Sequence, residues 1–249
     1  MFFVLPIGDI APRRRTPYVN YAVMAVNIAV FLLVGFRADY QSIVEQYGVV
    51  PARPEWLAFF SSMFLHGGLI HLGGNMLFLW IVGDNVEDVL GHIGYLAFYL
   101  LGGVLAHLPQ LMLFAKSPIP GIGASGAISA VMAAYTVWFA RNRIKVWYAI
   151  WLFPFIRSGV ALVPAVFAIG LWFLAQFLYG LATLGHPFRG GVGYWVHVGG
   201  FVFGLVVAGV VRLLWPGRIP QARRADVSQG RRYFRVRRPP RHDQWGGGW

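Results

Sequence analysis

The chain has 249 residues, 57% of them hydrophobic and only 12% charged, with a formal net charge of +12 and a mean hydropathy of +0.59. Soluble proteins carry about 25% charged residues, so this much apolar side chain behind so few charges excludes a soluble enzyme. The chain contains no cysteine, which excludes disulfides, thiol catalysis and thiolate metal sites.

The first twelve residues, MFFVLPIGDIAP, interrupt apolar residues with Pro6, Gly8, Asp9 and Pro12, and the charges Arg13 to Arg15 follow them. A cleavable signal has the opposite order, so residues 1–17 are expected to form a surface-lying or partly ordered cytoplasmic segment. Apolar runs of about 20 residues then recur, the length that spans a bilayer as helix. The first runs from about Tyr18 to Phe36, the second from about Phe60 to Val82, the third from His92 to Ala115 and the fourth from about Gly123 to Ala140. Val146 to Leu181 is apolar except at Arg157-Ser158-Gly159. It reads as an interfacial or loop segment followed by a fifth run from about Val160 to Leu181. A separate crossing by Val146–Ile156 would reach only about 16 Å, against about 30 Å of hydrocarbon. The sixth run extends from about Gly193 to Trp215. The expected fold is an all-α membrane protein, a six-transmembrane helical bundle over residues 18–215, with a basic, flexible cytoplasmic tail over 216–249.

Charge placement orients the bundle. With a cytoplasmic N-terminus, Arg13 to Arg15, Arg141, Arg143, Lys145, Arg157, Arg212 and the C-terminal arginines all lie inside, and only Arg37, Arg53, Lys116 and Arg189 lie outside. This is the positive-inside distribution, and it places both termini in the cytoplasm. The tail holds nine arginines between Arg218 and Arg241. Contact with anionic cytoplasmic lipid is the simplest role for them. No nucleic-acid-binding module accompanies the charge, so nucleic acid is not an expected partner.

Polar side chains inside spans are costly and therefore functional candidates. The second run carries His66, His71 and Asn75, the third His107, the fourth Ser125, the fifth Gln176 and the sixth His197. Runs two, four and six all enter from the outer face, and at about 1.5 Å per residue His71, Asn75, Ser125 and His197 can share one layer. Ser125 and His197 form a nucleophile and general base if they come within hydrogen-bond reach. No carboxylate occurs in the 137 positions between Asp88 and Asp226, and Asp84, Glu87 and Asp88 fall at the wrong end of the second run. Any such mechanism is therefore a Ser–His dyad. His71 and Asn75 share a helix face and suit an oxyanion, as does the Ser125 backbone N–H near a helix start, although Asn75 also suits a helix–helix hydrogen bond. His66 reads as a loop anchor, His107 as a structural group and Gln176 as an interhelical hydrogen-bonder. His92 and His186 read as loop residues. A metal site from His66, His71 and His197 is geometrically poor and has no carboxylate to complete it. Gly200, Gly204 and Ala208 on the sixth run, and Gly126, Ala127, Ala130, Ala133 and Ala134 on the fourth, offer small faces for close helix packing.

At these residues the sequence resembles the rhomboid family of intramembrane serine proteases. HGGLIHLGGNM (His66 to Met76), GASG (Gly123 to Gly126) and HVGG (His197 to Gly200) resemble its second-, fourth- and sixth-helix motifs, in order on alternate spans. YGVVPARPEWLAFFSSMFLHGG resembles the first loop leading into the second helix, and GLWFLAQFLYG the fifth helix. The resemblance covers roughly residues 18–215. It implies Ser125 as nucleophile, His197 as general base, and His71, Asn75 and the Ser125 N–H as the oxyanion site. It implies an endopeptidase without cofactor or metal that cuts membrane proteins in or beside their transmembrane segments, usually after a small residue such as alanine. The fifth helix and the loop around His186 to Tyr194 would form the gate and cap, with water reaching the serine from the outer face of the cell membrane. The alternative is an inactive relative that binds membrane proteins. A channel is a weaker rival, because it requires polar groups across the full membrane depth. Two positions depart from the family pattern. Ser129 stands where many relatives have an aromatic residue on the base histidine, so a neighbouring aromatic or packing must orient His197. Trp56 is followed by Leu57 in place of an arginine.

Overall fold

The computed structural model describes residues 2–153, 155–184 and 193–220. Most of the expected cap around His186 to Tyr194, and the basic tail from Gln221 onward, lie outside the described residues. The chain opens with strand β1 (Phe2–Asp9) and apolar helix α1 (Tyr18–Val34). Two short helices, α2 (Tyr40–Tyr47) and α3 (Trp56–Ser61), lead to a sharp change of direction. The segment Trp56–Phe64 meets the helix Leu69–Leu90 at 89°. Gly68, at the bend, has φ +154°, a backbone conformation strained for L side chains. The long helix comprises α4 (Leu69–Phe78), a π-helical turn at Leu79–Gly83 and α5 (Asp84–Leu90). The long helix therefore starts at Leu69 and not near Phe60, because the double glycine turns the chain first. Next come α6 (His92–Ala106), α7 (Leu108–Leu113) and α8 (Ser125–Trp138).

Beyond α8 the expectation of an all-α chain is corrected. β2 (Arg143–Leu152) and β3 (Phe155–Pro164) pair antiparallel from Arg143↔Pro164 to Leu152↔Phe155. β1 adds to the other edge of β2, from Phe2↔Ile150 to Asp9↔Ile144, making a three-stranded sheet in the order β1-β2-β3. The segments are rich in Val, Ile, Trp and Tyr, which favour a pleated surface. Pro164 ends β3, and α9 (Ala165–Thr183) begins immediately after it, as proline's fixed φ and missing N–H allow. The fifth apolar helix thus starts at Ala165 and not at Val160. α10 (Tyr194–Leu214) closes the bundle.

Among the described residues, the helices His92–Leu113, Ala165–Thr183 and Tyr194–Leu214 are long and apolar enough to cross a bilayer, and the bent pair Trp56–Phe64 and Leu69–Leu90 makes a fourth if it forms one span. α1 and α8 are apolar but shorter. Leu33, Ile70, Ile93, Phe167 and Leu213 face outward uncovered. An outer surface of this kind matches hydrocarbon, and the chain is a membrane protein.

α8 is the central helix. Every residue from Gly126 to Tyr135 is buried, and its largest partner is α10. A Cβ on Gly200 would lie 2.0 Å from the Gly126 carbonyl oxygen, and one on Gly204 would lie 2.3 Å from that of Ala130. The two helices meet backbone to backbone, as their small faces permit.

The acidic residues hold the far end of α4–α5. Glu87, only 2% exposed, accepts the N–H groups of Val19 (3.1 Å) and Asn20 (2.7 Å) at the start of α1, where helix N–H groups have no internal partner. His92 Nδ1 lies 2.5 Å from the same carboxylate. The Asn20 amide donates to the Leu79 carbonyl (3.0 Å) at the π-helical turn and accepts from the Tyr95 hydroxyl (2.8 Å). On β1, Asp9 accepts from the Tyr135 hydroxyl of α8 (2.5 Å) and the Ala11 N–H (3.2 Å). Burial pushes the Asp9 carboxyl up to about 6, against the lowering effect of the Tyr135 hydrogen bond.

Candidate active site

The loop before α8 is tied down where it meets the helix. Val49 and Gly121 exchange backbone hydrogen bonds of 3.0 and 2.8 Å, and the Gly123 N–H donates to the Ser62 carbonyl at 2.8 Å. Gly123 has φ +121°, and a Cβ there would lie 2.7 Å from His71 Nε2 and 3.7 Å from Ser125 Oγ. Backbone conformation and space both require glycine, and the same numbers put His71 and Ser125 on one small volume. Ser125 is the first residue of α8, so its backbone N–H belongs to the unpaired set at a helix start.

His197 lies in the first turn of α10 and is 9% exposed. Its Nε2 is 2.7 Å from Ser125 Oγ. Its Nδ1 is 2.7 Å from Oε1 of Gln176 on α9. Trp172, one turn before Gln176, packs its ring beside the imidazole with centroids 5.6 Å apart and planes inclined by 38°. Ser129 is fully buried and donates to the Ser125 carbonyl at 2.6 Å, so the aromatic neighbour of His197 comes from α9 instead of α8.

His71 accepts the Gly67 N–H at Nδ1, at 3.3 Å. A neutral imidazole that accepts at one nitrogen carries its proton on the other. Nε2 is therefore a donor, turned toward the volume beside Gly123 and Ser125. Asn75 follows one turn later on the same face of α4. It is buried, and its Nδ2 has no partner among the described residues. A buried unsatisfied donor is uncommon in a folded protein. His71 Nε2–H, Asn75 Nδ2–H and the Ser125 N–H are thus three donors around Ser125 with no acceptor among the described residues.

The other polar candidates fall outside this arrangement. His66 is 1% exposed, stacks edge-on to His71 at 5.1 Å, and offers its carbonyl to the Tyr40 hydroxyl at 2.7 Å. It braces the bend behind His71. His107 is buried at the end of α6, edge-on to Phe59 at 5.7 Å. Among the described residues no three His, Cys, Asp or Glu side chains gather as a metal-ligand set. Reading the residues alone missed Trp172. Its signal was the W-x-x-x-Q spacing on the fifth helix, which puts Trp172 and Gln176 on one face, together with Ser129 where an aromatic was expected.

Residues 53–213 match the family model described as Rhomboid domain. The chain is similar to Rhomboid protease GluP of Bacillus subtilis, 32% identical over 133 residues that cover 51% of this chain and 26% of that protein. It is also similar to human Presenilin-associated rhomboid-like protein, mitochondrial, 26% identical over 202 residues that cover 80% of this chain and 50% of that protein. Rhomboid-like protein 11, chloroplastic, of Arabidopsis thaliana is 35% identical over 122 residues, covering 49% of this chain and 42% of that protein. The match spans half or less of each of these relatives.

Proposed function

The chain belongs to the rhomboid family, and from that premise we propose that it is an intramembrane serine endopeptidase acting on transmembrane segments of other proteins. The observation that carries the reading is the 2.7 Å hydrogen bond between His197 Nε2 and Ser125 Oγ, inside a helical bundle with an apolar exterior. A serine hydroxyl is a weak nucleophile until an imidazole takes its proton. In the proposed reaction Ser125 Oγ attacks the scissile carbonyl carbon while its proton passes to His197 Nε2. The carbonyl oxygen becomes an oxyanion and receives hydrogen bonds from His71 Nε2–H, Asn75 Nδ2–H and the Ser125 N–H. Collapse breaks the C–N bond, and the imidazolium returns the proton to the leaving amine. Water then hydrolyses the acyl-serine through the same base. Each step balances with the chain's own groups, so no cofactor is invoked.

The proposed topology has six crossings, by α1, α4–α5, α6–α7, α8, α9 and α10, with both termini cytoplasmic and the site opening toward the outer face of the cell membrane. α8 has 14 residues, about 21 Å of helix against about 30 Å of hydrocarbon. With Trp138 at the inner interface, Ser125 sits roughly 9 Å below the outer one, within reach of water. Family resemblance, and not this geometry, suggests a small residue such as alanine before the scissile bond.

The test is reconstitution of the purified chain in lipid with a model transmembrane substrate. The parent is expected to cleave, and Ser125→Ala and His197→Ala to abolish cleavage, with no effect of a metal chelator. Undiminished cleavage by the Ser125→Ala protein would overturn the assignment. A parent that binds the substrate without cutting it would identify an inactive binding protein.

A further inference from the structure

We propose that Gln176 is a positioning residue for His197, supplying through a neutral side-chain amide the orienting contact that a carboxylate provides in a Ser–His–Asp triad. The inference rests on the protease reading above. The imidazole of His197 is held on both edges at equal distance, 2.7 Å from Ser125 Oγ at Nε2 and 2.7 Å from Gln176 Oε1 at Nδ1. An amide oxygen only accepts. With that oxygen on Nδ1, the ring carries its proton there, and the Nε2 lone pair is left facing the serine hydroxyl. That is the tautomer a general base needs, and the wrong tautomer disables an otherwise intact serine-hydrolase site.

Among the described residues no carboxylate bonds to His197. None occurs between Asp88 and Asp226, and Glu87 and Asp88 are engaged with the backbone of Val19, Asn20 and Arg14 away from the site. A charged third member at this depth would also carry a desolvation cost that an amide avoids. Trp172 completes the grip. It lies four residues before Gln176 on α9 and packs beside the imidazole, so one helix face holds both the edge and the face of the ring. Position 129 does not serve this role here, because Ser129 is buried and spends its hydroxyl on the Ser125 carbonyl at 2.6 Å.

The test has two parts. The first needs no substitution at Gln176. In 15N-histidine-labelled protein in micelles, with the His197 signals assigned by their loss in His197→Gln, Nδ1 is expected to be protonated and Nε2 bare at neutral pH. Protonation mainly on Nε2 would overturn the proposal. The second part compares Gln176→Leu and Gln176→Glu with the parent. Leucine keeps the bulk and removes the acceptor, and kcat is expected to fall about 10- to 100-fold, part of the 10²–10⁴ that general-base catalysis supplies, while KM stays within about twofold. The His197 spectrum should lose its tautomer bias in the same protein. Glutamate accepts at Nδ1 in either protonation state and should recover at least about tenfold over leucine. A leucine variant with the parent kcat and spectrum, or a glutamate variant no better than leucine, would overturn the role. If Gln176→Leu fails to fold, the parent spectrum still decides. A parent that shows the expected tautomer but cleaves nothing would count against the protease reading alone.

Discussion

Gly200→Ala tests whether helix packing sets the catalytic distance. The added Cβ would lie 2.0 Å from the Gly126 carbonyl oxygen, whereas carbon and oxygen settle at about 3.3 Å or more even in C–H···O contacts. The obstruction is backbone on both sides, so no side chain can swing away, and α8 and α10 must part by more than about 1 Å. Gly126 adjoins Ser125, and Gly200 lies one turn from His197. The 2.7 Å Ser125–His197 bond then opens toward about 3.5 Å or beyond, outside hydrogen-bond range. A displacement of about 1 Å can cost 10²-fold in rate, and overpacking of this kind costs about 1–3 kcal/mol of stability. The assay is cleavage of a transmembrane substrate in liposomes beside Tm in detergent. Gly209→Ala serves as the control, since its Cβ meets nothing within 4 Å on the same helix. Gly200→Ala is expected to lose about 100-fold in kcat and several degrees in Tm, and Gly209→Ala to match the parent. A Gly200→Ala protein within threefold of the parent rate would refute the link between this crossing and the site.

Two further outcomes follow from individual side chains. Asn75→Ala should lower kcat about 10²- to 10³-fold, as loss of an oxyanion donor does, without lowering Tm, because alanine removes a buried amide donor that has no partner among the described residues; a Tm drop with unchanged kcat would make Asn75 structural. Asp9 binds its proton more tightly folded, at about 6 against the ordinary 3.8, so its contribution to stability is complete below the ordinary value and is lost as pH rises through about 6. On that basis the parent gains on the order of 1 kcal/mol from this group at pH 5 relative to pH 7.5, and Asp9→Asn should shrink the Tm difference between the two pH values by a few degrees. An unchanged difference would show that Asp9 titrates normally.

Much of the site was legible because its chemistry recurs in short motifs and its placement follows from helix rise. Ser125, His197, His71 and Asn75 stand out as polar groups in apolar runs, and helix rise lets them share one layer. The small residues Gly126, Gly200 and Gly204 were legible as a packing face for the same reason, since spacing along a helix is spacing on its surface. The strands were not legible, because a run such as WYAIWLFPF is equally apolar as membrane-surface loop or as sheet. β2 became a strand only by pairing with β3 and with β1, far away in the chain. The bend at Gly68 and the late start of α9 at Ala165 depended on a glycine backbone conformation and on Pro164, which hydropathy alone does not weigh.

The sequence by itself determined that the chain is an apolar, multi-helical membrane protein, that it carries a serine, two histidines and an asparagine spaced so that they can share one layer, and that no carboxylate lies between Asp88 and Asp226. These are properties of composition and local periodicity. The tertiary structure alone decided what touches the outer edge of His197. Gln176 and Trp172 reach the imidazole because α9 packs against α10 at one rotation and height. Side-chain contact across two helices depends on both, and neither is written in the period of either helix.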